Sequence, residues 1–286
     1  MTISSVPVPH PCTGDAPHWP GAFSAVVDDF GVSQDTGKEV LLMHRRHGMR
    51  RHRGVAVGLL AGLATITTAS YGFVYAITNG QEAASAPASM VQVATTREGG
   101  ENLCGGTLID ARWVLTAAHC AEGGESIRVL IGSTERNKGA AIAVKAPHVE
   151  RGFDLALLEL QDSAGSAATA PLGDAAPALG STGDVFGWGM TESGELSDKL
   201  KTAQVKVDTV GGDCTDGANG PGVCTSGVSG TFGPGDSGGP LFIEGKQVGV
   251  VSNSRNFVFA DVAGRLPWME RTTGVDLNGD GQVAAG

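Results

Sequence analysis

Aromatic side chains are scarce in this chain: nine Phe, four Trp and two Tyr among 286 residues. Basic residues are outnumbered, 20 Lys and Arg against 30 Asp and Glu, for a net charge of -10. That balance argues against nucleic acid or an anionic membrane as the main partner. An acidic surface by itself says little about a substrate. Cysteine is limited to five positions, Cys12, Cys104, Cys120, Cys214 and Cys224. Their spacing lacks a metal-ligand pattern, so neither a metal nor another cofactor is expected. Histidine is nearly absent beyond Ala76, where only His119 and His148 occur. A general base near neutral pH is most easily a histidine, so the candidates for that role are few.

Glycine, in contrast, is abundant, with 44 residues. Short apolar runs rich in Val, Thr and Ile alternate with Gly, Asp and Asn. They fall at 90–95, 107–115, 126–131, 141–144, 155–160, 184–188, 203–207, 240–243, 247–252 and 257–262. Many short strands separated by turns predict an all-β fold of the barrel type. The length fits one large domain or two small ones.

The first 76 residues read differently. Residues 44–53 are strongly basic and residues 54–76 carry no charge. This is the order of a secretory signal, and Val74-Tyr75-Ala76 offers a cleavage site. The run is also just long enough to span a bilayer, but its Thr, Ser and Gly content makes it a mediocre span, which favours cleavage. The expected division is a disordered extension at 1–42, a signal peptide at 43–76 and a folded domain at 77–286. Export signals start near the initiator methionine, so a start at Met43 or Met49 would make residues 1–42 an artefact. Cleavage would leave a soluble, secreted monomer. Four of the cysteines lie in the exported domain, and an even count there points to disulfides.

The densest chemical signal is Gly235-Asp236-Ser237-Gly238-Gly239-Pro240. A serine among glycines sits on a tight turn with its hydroxyl exposed, and backbone N–H groups can approach an oxygen there. Serine alone is a poor nucleophile and needs a base and a group that orients the base. His119 in Thr116-Ala117-Ala118-His119-Cys120 and Asp154 in Phe153-Asp154-Leu155-Ala156-Leu157-Leu158 supply both. An aspartate entering an apolar strand is costly unless paired, and a histidine resolves that cost.

With Leu103-Cys104-Gly105-Gly106-Thr107-Leu108-Ile109, Phe186-Gly187-Trp188-Gly189 and Val248-Gly249-Val250-Val251-Ser252, these motifs resemble the secreted serine peptidases of the chymotrypsin/trypsin family, of the kind found in actinobacteria. The resemblance covers nearly all of residues 77–286 and none of residues 1–76. It implies two six-stranded antiparallel β-barrels with a C-terminal helix from Leu266 onward. It implies a catalytic triad of His119, Asp154 and Ser237, in the chain order of the chymotrypsin arrangement. The N–H groups of Gly235 and Ser237 would form the oxyanion hole, and the substrates would be peptides or proteins.

The resemblance also implies a Cys104–Cys120 pair tethering the histidine loop, worth about 3 kcal/mol in the chain-entropy picture. Cys214–Cys224 would close a short loop before the serine. Ile77-Thr78-Asn79-Gly80 matches the family's inward-folding N-terminus, so the Ile77 ammonium would pair with Asp236. Thr231, Ser252, Asn253 and Ser254 would form the specificity pocket. Here the chain departs from the pattern. Members that cut after Arg or Lys have an aspartate at the position of Thr231. Gly233 replaces a cysteine, Asn253 a tryptophan, and Phe257 intrudes on the pocket. The tail Asp276-Leu277-Asn278-Gly279-Asp280-Gly281 resembles the start of a calcium loop but lacks its twelfth-position glutamate, so a polar tail is expected.

Overall fold

The computed structural model describes residue 77, residues 80–84 and residues 87–285. The expected extension at 1–42 and signal peptide at 43–76 lie outside the described residues.

Thirteen strands are present among the described residues. They begin with β1 (Gln81–Glu82), β2 (Met90–Arg97), β3 (Gly100–Asp110), β4 (Trp113–Thr116), β5 (Ser126–Ile131), β6 (Ala140–Val149) and β7 (Ala156–Leu160). They continue with β8 (Thr182–Gly187), β9 (Lys201–Thr215), β10 (Pro221–Gly227), β11 (Pro240–Ile243), β12 (Lys246–Asn253) and β13 (Val258–Asp261). The first barrel closes in the order β2-β3-β4-β7-β6-β5. The second runs β9-β10-β13-β12-β11-β8 and closes through a β8–β9 pairing, with β1 added on β9. All pairings between these strands are antiparallel, so the expected two six-stranded barrels are present.

The period of two explains which side chains fill the second barrel. Along β9, Ala203, Val205 and Val207 are buried while the residues between them are exposed. They meet Val185, Val223, Leu241 and Phe259. A one-residue slip would turn the whole set outward, so this pattern pins the register. The first core gathers Val93, Leu108, Leu115, Leu157 and Leu158, and extends to Val250, Ala260 and Met269 of the second half.

Among the described residues two α-helices complete the fold, the single turn α1 (Ala118–Ala121) and α2 (Leu266–Thr273), the latter entered through a 3-10 turn at Ala263–Arg265. Helix α2 buries Leu266 and Met269 and stops at Gly274, whose φ of 70° ends the right-handed path. The C-terminal helix is therefore present but short. The apolar run 107–115 is not one strand. It turns at Ala111 and Arg112, and β3 and β4 pair with each other. Strand β10 had no apolar signature, because a proline, two glycines and a cysteine occupy it. Among the described residues, no helix is long and apolar enough to cross a membrane.

Candidate active site

His119 sits on α1, directly after β4. Two devices fix this turn. The Cys104–Cys120 disulfide ties it to β3. Arg97 reaches over its C-terminal end and donates from Nη2 to the carbonyls of His119 (2.7 Å) and Glu122 (2.8 Å). Those carbonyls have no partner within so short a helix, so the guanidinium satisfies them. Arg97 had no signal in the sequence.

Asp154 lies two residues before the start of β7 and is buried, with 3% exposure. The His119 ring Nδ1 lies 2.8 Å from its Oδ2, and the His119 backbone N–H donates to Oδ1 at 3.0 Å. The Ser252 hydroxyl donates to Oδ2 at 2.5 Å. Burial alone would raise the Asp154 carboxyl pKa. The bond and charge of His119 and the Ser252 hydroxyl outweigh that effect and hold it below its ordinary value. Ser252, expected in the specificity pocket, thus also supports the carboxylate.

Ser237 lies on the turn entering β11. Gly238 there has φ 77°, and a Cβ on it would strike Thr116 Oγ1 and the Gly105 carbonyl. The Gly105 N–H donates to the Ser237 carbonyl at 2.7 Å, which ties this turn to β3 of the other barrel. The N–H groups of Gly235 and Ser237 have no acceptor among the described residues. His119 borders two cavities. One, of about 680 Å³, is lined by Phe153, Asp154, Gly217, Ser252, Asn253 and Ser254 among others. The second, of about 370 Å³, holds Ser237, Gly235, Leu196 and Arg97. Among the described residues, no hydrogen bond joins the Ser237 hydroxyl to the imidazole. Such bonds commonly tighten only with substrate in place.

Asp236 is fully buried. It accepts the N–H of Gly189 (2.8 Å) and of Gly233 (3.0 Å), and the backbone N–H of Ile77 is a further donor. Burial pushes its carboxyl up to about 7, against the pull of these donors and of the Lys201 charge. A Cβ at Gly189 would collide with this carboxylate, which is the local reason for the glycine in Phe186-Gly187-Trp188-Gly189. Ile77 itself is buried in the second core.

Ser252, Asn253 and Ser254 line the larger cavity, and Thr231 does not. The residue after Thr231 belongs to an aromatic cluster. Phe232 is fully buried against Phe259 (4.6 Å between centroids) and Phe257 (5.7 Å). Phe257, at φ 52°, is drawn into this cluster.

Both expected disulfides are present, the second being Cys214–Cys224. Cys104, His119 and Cys120 cluster like metal ligands, but the two sulfurs are bonded to each other. In the tail, Asp276 accepts the N–H groups of Gly279 (2.8 Å) and Gly281 (2.7 Å). The carboxylate of the buried Glu270 holds the N–H groups of Leu277 and Ala284, which fastens the tail to α2.

A two-barrel fold with an Asp–His pair beside a serine turn defines the class of chymotrypsin-like serine peptidases. The profile of the Trypsin family matches residues 77–263, so the chain belongs to that family and is a serine-type endopeptidase. It is 32% identical over 216 residues to Trypsin 5G1 of Aedes aegypti, covering 64% of this chain and 80% of that protein. It is 35% identical over 205 residues to Serine protease SP24D of Anopheles gambiae (63% and 75% covered). It is 29% identical to human Kallikrein-8 over 221 residues (66% and 84% covered). These relatives are insect and human proteins and lend no support to the actinobacterial grouping. Among solved structures, neuropsin of mouse brain matches with TM-score 0.58 at 24% identity, covering 69% of this chain and all of that one. The scabies mite inactivated protease paralogue S-D1 matches with TM-score 0.62 at 24% identity (70% and 99% covered). At that identity both speak for the fold alone.

Proposed function

We propose that this protein is an exported endopeptidase that hydrolyses peptide bonds through a His119–Asp154–Ser237 triad and an acyl-enzyme. The observation that carries this reading is the buried Asp154 carboxylate bonded to His119, whose ring borders the cavity of Ser237. In the proposed reaction Ser237 Oγ attacks the scissile carbonyl carbon while His119 Nε2 takes its proton. Asp154 keeps the Nδ1–H tautomer and stabilises the imidazolium. The free N–H groups of Gly235 and Ser237 receive the developing oxyanion, each worth ~3 kcal/mol in sites of this type. The imidazolium then protonates the departing amine, and water repeats the sequence on the acyl-enzyme.

Three further features belong to the proposal. The signal is removed after Ala76, releasing a secreted monomer that begins at Ile77. The new ammonium pairs with Asp236, which orders the serine turn. Thr231 provides no negative charge, so Arg and Lys are not specially preferred before the cut. Labelling with a fluorophosphonate followed by peptide mass spectrometry tests the mechanism. Modification at Ser237 supports it, and a folded, unlabelled protein refutes it.

A further inference from the structure

The loop closed by Cys214–Cys224 carries a second buried aspartate that the triad does not explain. Asp216 is 4% exposed and forms no salt bridge among the described residues. A buried carboxylate without a cation costs several kcal/mol unless hydrogen bonds replace its water. Three backbone N–H groups do so. Oδ1 accepts from Ala218 (2.9 Å) and Gly220 (2.8 Å), which close the local turn. Oδ2 accepts from the N–H of Asp154 at 2.9 Å, 62 residues away in sequence. The turn alone needs only the first oxygen. The second is committed to the backbone of the residue that orients His119, and a charge-assisted bond of this kind is about twice as strong as a neutral one.

The next residue reaches the other end of Asp154. The Gly217 N–H donates to Ser252 Oγ at 2.8 Å. A hydroxyl that accepts there directs its single proton elsewhere, here to Asp154 Oδ2. One loop therefore grips Asp154 by its backbone and, through Ser252, by its carboxylate. Gly217 and Ala218 also line the larger cavity beside His119.

We propose that Asp216 is a positioning residue: through the Asp154 N–H, and together with Gly217 through Ser252, the disulfide-closed loop fixes the carboxylate that orients His119. This rests on the peptidase reading above.

Two variants of the full chain test it. In Asp216→Asn the amide oxygen can keep the turn, while its NH2 opposes the Asp154 N–H. In Gly217→Ala the new Cβ would lie 3.2 Å from both Asp154 Oδ2 and Ser252 Oγ, at a backbone conformation open to alanine. Both should lower kcat per fluorophosphonate-titrated site by about 10- to 100-fold, as small misplacements of reacting groups do. KM should change little. A less firmly held Asp154 favours the imidazolium less, so the acid limb of kcat/KM should move to lower pH. In ¹⁵N-histidine-labelled protein the hydrogen-bonded Nδ1–H resonance of His119 should move upfield. A lower melting temperature with unchanged kcat, pH limb and resonance overturns the proposal. If Asp216→Asn does not fold, Gly217→Ala decides by the same criteria. If wild-type protein is not labelled at Ser237, the peptidase reading fails, and the resonance still decides whether the loop positions His119.

Discussion

The Gly189 N–H donates to the buried carboxylate of Asp236 at 2.8 Å, one residue before Ser237. Strand β8 ends two residues earlier, so the second barrel holds the serine turn from beneath. What reaches Asp236 therefore reaches the site.

Ser237→Ala should abolish turnover and leave the fold unchanged. A loss on the order of 10³-fold or more is expected if the proposed triad operates, because members of such a triad act as a unit. Comparable turnover in a protein with wild-type circular dichroism would end the mechanism.

The form beginning at Ile77 should be far more active than one retaining Ala76, although both carry the proposed triad. Leaving a buried charge without its partner costs about 3–5 kcal/mol. Steady-state kinetics on the matched pair should show a difference on the order of 10²-fold. Equal turnover would refute the N-terminal switch.

The same pair should differ in how stability depends on pH. While Ile77 is an amide, the Asp236 carboxyl is pushed from its ordinary 3.8 to about 7 in the folded state. Between these values the folded chain binds the extra proton, so stability falls as pH rises from 3.8 through 7. An ammonium at Ile77 lowers the folded value and removes that fall. It adds instead a loss at high pH, when the α-amino group gives up its proton. Melting temperatures of both forms, carrying Ser237→Ala, at pH 5 and pH 8 provide the check. Identical pH slopes would contradict it.

Thr231→Asp alone should not produce efficient cleavage after Arg. Phe257 packs against Phe232, the residue after Thr231, and Thr231 is not among the residues lining the cavity of Ser252, Asn253 and Ser254. Profiling against a peptide library would expose an error here: a strong new Arg preference in the single mutant.

The sequence by itself pointed to an all-β fold of short strands, to disulfides in the exported part and to three candidate triad residues, and its family resemblance supplied the two barrels and the Cys104–Cys120 pairing. Short apolar runs, the cysteine count and glycine-rich turns are written in the chain itself and are legible without the fold. Tertiary structure alone decided what holds Asp154. Asp216 and Ser252 lie 62 and 98 residues from it, and a lone Asp in a Gly-rich loop carries no sign of its partner. It also decided that Phe257 joins Phe232 and Phe259, and that the 107–115 run bends into two strands. A hydrogen bond or an aromatic contact between distant segments is set by how the barrels close, and no short stretch of chain encodes it.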